Sequence, residues 1–517
     1  MSRRSMRPAI LQNVVRGGDA SAGPPLPELG PPLHKRGTGP RGRAAALALA
    51  LLLAAGRAQA SDAEWDWGFF ASRLEDAGGD VRTRALGPLL ERADSPDGGR
   101  LAAVRPVFCR ARDGRGERRF SEIAWPLATT RRFLDERDTR VLLAYYKRFN
   151  VEETAGRYRF MIIPLYFQGR DKLGQNYRAL FPLAGRIHEF LGQDEMAFFL
   201  FPLWSYSSIN SVRTDNVLWP VYSRTKGKGI SRFRVFPFYG YARHRARFEK
   251  GFVGWPFYTW ARYTYPDAQG RGYIVFPLWG HFKMPDQEAW LFLPPLFRFS
   301  KGERMDYSYC PWPFFQRSRG QIERFYLWPL WGRRTMPGLR SSFFLWPVFR
   351  SERSDRGAVV RRRFWALPFV YAQVDRRRAA GDVPARTVAR HHRLWPLCSY
   401  RQDETARRLR VLELWPLWDA SPVERNWAPL WTLFSWTKIG QNADTEVLWG
   451  LARDRVRGAE RRHVSLFPLW EWRRNDRPGG GREWNVGKGL IGRRRDEGGV
   501  TYRALWVLRW GGREKQP

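Results

Sequence analysis

The chain reads as all-β: a tandem-repeat antiparallel meander, curled or rolled into a barrel-like or superhelical body. Two observations carry that expectation. A short motif, aliphatic, Trp or Phe, Pro, Leu/Val/Phe, aromatic, recurs nearly end to end, and self-similarity at a fixed spacing marks a repeat architecture. Between the copies lie turns rich in Gly and charge, flanked by Leu, Trp, Phe, Val and Tyr without sustained helical periodicity. Prolines fill the motif slot at intervals of mostly 16 to 21 residues, which predicts about 24 strand units with a period of about 19. A parallel β-solenoid has coils of similar length and is the rival fold. Hairpin-like turns midway between the prolines favour the meander.

Taken in order, residues 1–40 are rich in Pro, Gly and Arg and read as an unfolded leader. Arg41 and Arg43 then precede an apolar run from Ala44 to Ala55, followed by Ala58-Gln59-Ala60. That is the form of a secretory signal peptide, with cleavage expected between Ala60 and Ser61. The run is too short for a permanent membrane helix. The expected organisation is therefore a leader plus signal over 1–60 and one continuous β-repeat domain over 61–517. The mature chain is expected outside the cytoplasm, in the periplasm or outer membrane or secreted. Residues 71–95 and 131–146 are the two places where a short helix is expected.

The repeat motif is carried by Pro202 with Trp204, Trp219-Pro220, Trp255-Pro256, Pro277 with Trp279, Trp328-Pro329-Leu330-Trp331, and Trp415-Pro416 with Trp418. Read as extended strand, it places Leu327, Pro329 and Trp331 on one face and Trp328 and Leu330 on the other. Both faces are then apolar at mid-strand, so a second layer is expected to cover them. Proline has no N–H to give to a ladder. A line of prolines across the sheet therefore predicts a crease where pairing lapses, with the N–H groups of Ala144, Gly68 and Gly450 unpaired in the variant copies.

Net charge is +39, and 78 of the 89 basic residues are Arg. Arg grips phosphate and carboxylate with a planar fork, and an excess of this size draws polyanions. Arginines interleave with aromatics at Arg232, Arg234, Arg243, Arg245 and Arg247 around Phe236-Pro237-Phe238-Tyr239, and at Arg361-Arg362-Arg363 before Phe364-Trp365. These eight are the candidate polyanion-binding residues. The alternative is a solvated strand end with guanidinium groups packed on rings.

Enzyme classes find little support. Cys109, Cys310 and Cys398 are scattered, and the histidines sit in or beside polar turns without an HExxH spacing. No zinc pattern is present. Gly487-Lys488-Gly489 lacks the remaining signature of a phosphate loop. No metal, cofactor or nucleic-acid partner is expected. The sequence thus points to a non-catalytic cell-envelope protein, structural or binding, engaging lipopolysaccharide, phospholipid or acidic glycan. An outer-membrane β-barrel channel or transporter is the alternative.

Overall fold

The computed structural model describes residues 64–512 apart from 154–155, 246, 266–267, 356, 382–383 and 417–419. The leader, the signal peptide and the Ala60/Ser61 cleavage site lie outside the described residues, as does Trp418. The described chain forms 46 strands, β1 (Trp65–Trp67) to β46 (Leu508–Gly512), numbered in chain order. Each strand pairs antiparallel with the one before it and the one after it. No pairing joins β1 to β46 among the described residues, so the sheet is one open meander and not a closed barrel. Every described pairing is antiparallel, which sets the parallel coil aside.

A single row of directly opposed residues can be followed through the whole sheet without a shift. It starts at Asp66, Ser72, Arg84 and Glu91. It passes Phe198, Ser205, Asn216, Ser223, Arg234, Gly240 and Phe252. It ends at Gly492, Arg503 and Arg509. The strands therefore stand side by side like slats across a ribbon. One edge of the ribbon is a file of proline-motif turns and the other a file of glycine and polar turns.

This placement corrects the mid-strand reading of the motif. Trp204, Trp279 and Trp331 open the strands β16 (Trp204–Ile209), β24 (Trp279–Met284) and β30 (Trp331–Met336). Pro202, Pro220, Pro256, Pro277 and Pro329 lie in the turns, each after a cis peptide bond. Trp219, Trp255 and Trp328 precede them in those turns, and Trp415-Pro416 leads into two short helices, Ser421–Asn426 and Ala428–Trp431. The physical reason is the missing donor: a turn has room for a residue without N–H, and a ladder does not.

The crease is replaced by a second ladder made by the turns themselves. Leu218 N–H donates to Leu203 O at 2.7 Å, Trp219 N–H to Pro202 O at 2.8 Å, and Val221 N–H to Leu218 O at 2.8 Å. The turn at 345–348 repeats this, with Leu345 N–H on Leu330 O and Trp346 N–H on Pro329 O, both at 2.7 Å. The variant copies divide. Gly68 N–H leaves the ladder for Asp66 Oδ1 at 2.8 Å, and Gly450 sits in a single 3₁₀ turn, Leu448–Gly450. Ala144 instead opens a regular strand opposite Val141 and Ile162, contrary to expectation. The helices expected at 71–95 and 131–146 are strands as well, among them Ala71–Glu75, Val81–Ala85 and Glu136–Val141.

The two faces differ, which corrects the apolar-on-both-sides expectation. The face carrying the Asp66–Arg509 row holds Arg, Ser, Gly, Glu and Asn among its aromatics and aliphatics. The opposite face opens at the motif edge with an apolar row. In the middle of the ribbon it reads Trp204, Val217, Tyr222, Val235, Tyr239, Val253, Tyr258, Val275, Trp279 and Phe292. The first is the arginine face below, the second the aromatic face.

The ribbon folds back so that its arginine face over residues 64–122 meets the segment 425–465. Arg84 bonds Glu446 at 2.7 Å, and Arg453 reaches both Asp66 and Glu446. Ser465 Oγ donates to Asp66 at 3.2 Å. Arg455 pairs with Glu64 at 2.7 Å, and Ala77 N–H donates to Asp444 Oδ2 at 2.5 Å. Beside them Glu122 accepts from Arg425 at 2.5 Å and from Asn426 at 2.6 Å. A charged joint therefore holds residues nearly 400 positions apart.

Candidate polyanion-binding groove

Where β17 (Val212–Val217) to β24 cross the middle of the ribbon, the arginine face is hollowed into a groove of about 730 Å³. Its floor is small because the register stacks Ser223, Thr225, Gly240, Ala242, Thr259, Ala261 and Gly272 on one side. Two glycines are required there. A methyl group at Gly240 would fall inside the Phe252 ring, and one at Gly272 inside the Phe282 ring. Each phenylalanine ring occupies the space beside the glycine of the neighbouring strand, as aromatic side chains do at strand glycines. Trp219 and Trp255 reach in from the motif turns and complete an aromatic wall.

Three cations stand in this groove: Arg232 and Arg234 from β19 (Ile230–Val235), and Lys250 from β21 (Phe248–Val253). Arg232 opposes Ala242, which opposes Lys250, and Arg234 opposes Gly240. No Asp or Glu among the described residues lines the groove. Among the described residues none of the three has a carboxylate partner, and the buried Arg234 Nε has no hydrogen-bond partner. Cationic donors without a carboxylate beside them can give charge-assisted hydrogen bonds to an anion.

The other six expected arginines are placed differently. Arg243 belongs to the aromatic face, opposite Ser231 and Glu249. Arg245 and Arg247 are exposed in the next polar turn. Arg361 is held by Asp375 at 2.8 Å, and Arg363 by Gln373 at 3.2 Å with Glu352 at 3.8 Å. Arg362 projects from the opposite face and is exposed. The structure thus gathers Arg232 and Arg234 and disperses the rest, because successive residues of a strand alternate faces. Lys250, Phe252 and Phe282 went unnoticed in the sequence. Only the register shows that each lies over a glycine or alanine of the neighbouring strand.

The cavity at the joint makes the contrast. It holds about 610 Å³ and is also rich in arginine, but seven acidic residues line it. Burial would raise the Glu91 carboxyl, yet Arg84, Arg105 and Arg82 outweigh it and hold it at about 2. Burial also works against Glu446, which Arg84 and Arg453 nonetheless hold at about 2. Glu446, opposing its burial, in turn raises Arg84. These carboxylates are held by arginines of the joint itself, so its charges pair within the protein.

Comparison with protein-family models and with curated protein sequences returned no match.

Proposed function

We propose that the protein is a non-catalytic component of the cell envelope that binds an anionic envelope polymer in this groove. The repeating unit is taken as one hairpin with its motif turn, recurring with a period of about 19 residues. The observation that carries the reading is the trio Arg232, Arg234 and Lys250, without carboxylates and walled by aromatics. Phosphate or carboxylate would take the guanidinium donors, while rings and aliphatic parts of the ligand would lie against Trp219, Phe252 and Trp255. Lipopolysaccharide and phospholipid combine those two features, and an acidic glycan satisfies the first.

The barrel channel needs a closed ladder of strands about 9–11 residues long. The strands here run from three to nine residues and the sheet is open, so binding is the reading we take.

The test is a titration of the full chain with lipopolysaccharide and with short-chain phosphatidylglycerol, read by intrinsic tryptophan fluorescence at two salt concentrations. Arg232→Ser with Arg234→Ser should weaken binding about 100-fold or more, since hydrogen bonds to charged groups contribute about 1.5–3 kcal/mol each. Arg361→Ser, which removes an arginine already held by Asp375, should leave binding within about twofold. Equal effects of both changes would sink the groove.

A further inference from the structure

The proline-motif edge displays an apolar band with no evident cover. Leu203, Leu218, Leu330 and Leu345 are each between 42 and 51 % exposed at the turn tips. Behind them on the aromatic face, Val253, Trp279, Phe292 and Phe344 are exposed to a similar degree. A continuous apolar patch of this kind on a water-soluble surface marks an interaction site. We infer that this edge is inserted into the hydrocarbon of one leaflet of a lipid bilayer, so that the ribbon stands in the membrane surface without crossing it.

Three features point to lipid. The first is backbone chemistry: hydrocarbon tolerates no unpaired N–H. In the turn 218–221 the N–H groups of Leu218, Trp219 and Val221 are all bonded, and the fourth residue is Pro220, which has none. The turn 345–348 is built the same way. In these two turns proline thus removes the one donor that the turn-to-turn ladder would leave open.

The second feature is zoning across the aromatic face. The row nearest the turns is aliphatic and aromatic. The next, two residues further along each strand, runs Phe233, Tyr241, Gly251, Trp260, Tyr273. The one beyond holds Arg243, Glu249, Arg262, Arg271 and Lys283. Rows two residues apart are about 7 Å apart, so apolar, amphipathic aromatic and basic zones succeed one another over roughly 15–20 Å. A leaflet presents hydrocarbon, interface and head group over a similar depth, about 15 Å of it hydrocarbon, with Trp and Tyr enriched at the interface.

The third feature is charge. A second copy docked edge to edge would bring two basic zones together in a chain of net charge +39, whereas anionic head groups would neutralise them.

Insertion does not depend on the groove, and its test uses a membrane that offers the groove no net anionic ligand. The full chain is floated with phosphatidylcholine vesicles in 1 M salt, and its tryptophans are exposed to brominated acyl chains. Flotation with quenching is expected. Leu203→Asp, Leu218→Asp, Leu330→Asp and Leu345→Asp together should lower vesicle partitioning about tenfold or more. Leu173→Asp, an equally apolar and 73 % exposed tip at the glycine edge, should leave it unchanged. Quenching of the unaltered chain gives the answer even if the fourfold variant fails to fold. A chain that stays with the soluble fraction, or floats without acyl-chain quenching, would overturn insertion. So would a lipid-free dimer, abolished by the fourfold variant, in a chain that never floats.

Discussion

Gly332 sits where a methyl group would enter the Phe343 ring, with Tyr326 close on the other side. Gly332→Ala should therefore cost about 1–3 kcal/mol in denaturant unfolding, the range for overpacked sites. Tryptophans of the motif are less costly to remove than a buried ring. Trp331 is 44 % exposed, so Trp331→Ala should cost about 1–2 kcal/mol in water, against about 3–5 for a fully buried aromatic. The thiols are separated in the same way. Burial, then the neighbouring Glu122, pushes the Cys109 thiol up to about 11, while Cys310 is exposed. A thiolate reagent at pH 8 should label Cys310 and spare Cys109 in the folded chain, as mass spectrometry of the labelled peptides would show.

The hairpin is the element that repeats, and its two turns have opposite characters. Glycine turns such as Lys228-Gly229 use positive φ to reverse the chain in two residues. Proline turns are longer and bond to one another. This difference has a measurable form in hydrogen exchange. Amides of Leu218, Trp219, Leu345 and Trp346 should exchange as slowly as ladder amides although they lie in turns, and Lys228 and Gly229 should exchange fast. Rapid exchange at both kinds of turn would mean that the second ladder does not persist in solution.

At the scale of the whole molecule, the ribbon is locked by the joint between its first strands and residues 425–465. Glu91 and Glu446 both sit at about 2 against an ordinary value of 4.5, so the unfolded chain takes up protons that the folded chain refuses. Their stabilisation is complete above about pH 4.5 and is lost as the pH falls towards 2. The ends should therefore part in acid before the hairpins melt, seen as a rise in radius of gyration by solution scattering while far-ultraviolet circular dichroism is kept. At neutral pH, Arg453→Met should destabilise the joint by about 3–5 kcal/mol, because it leaves the buried Asp66 without its arginine.

Much of this architecture was legible in the residues. Apolar and aromatic runs without helical periodicity between glycine turns make strands, because that pattern is local. What remained hidden was non-local. Whether Pro329 lies in a strand or a turn depends on where its neighbours find donors, and Trp346 N–H on Pro329 O belongs to the next hairpin. Which arginines converge depends on strand parity: Arg232 and Arg234 share a face that Arg243 does not. The joint was the least accessible, since Asp66 and Arg453 are joined only once the strands from the first to the fortieth have bent the chain back on itself. Sequence alone set the strand, the turn and the charge. The tertiary structure decided which charges remain paired, because pairing is a matter of distance across the ribbon and not along the chain.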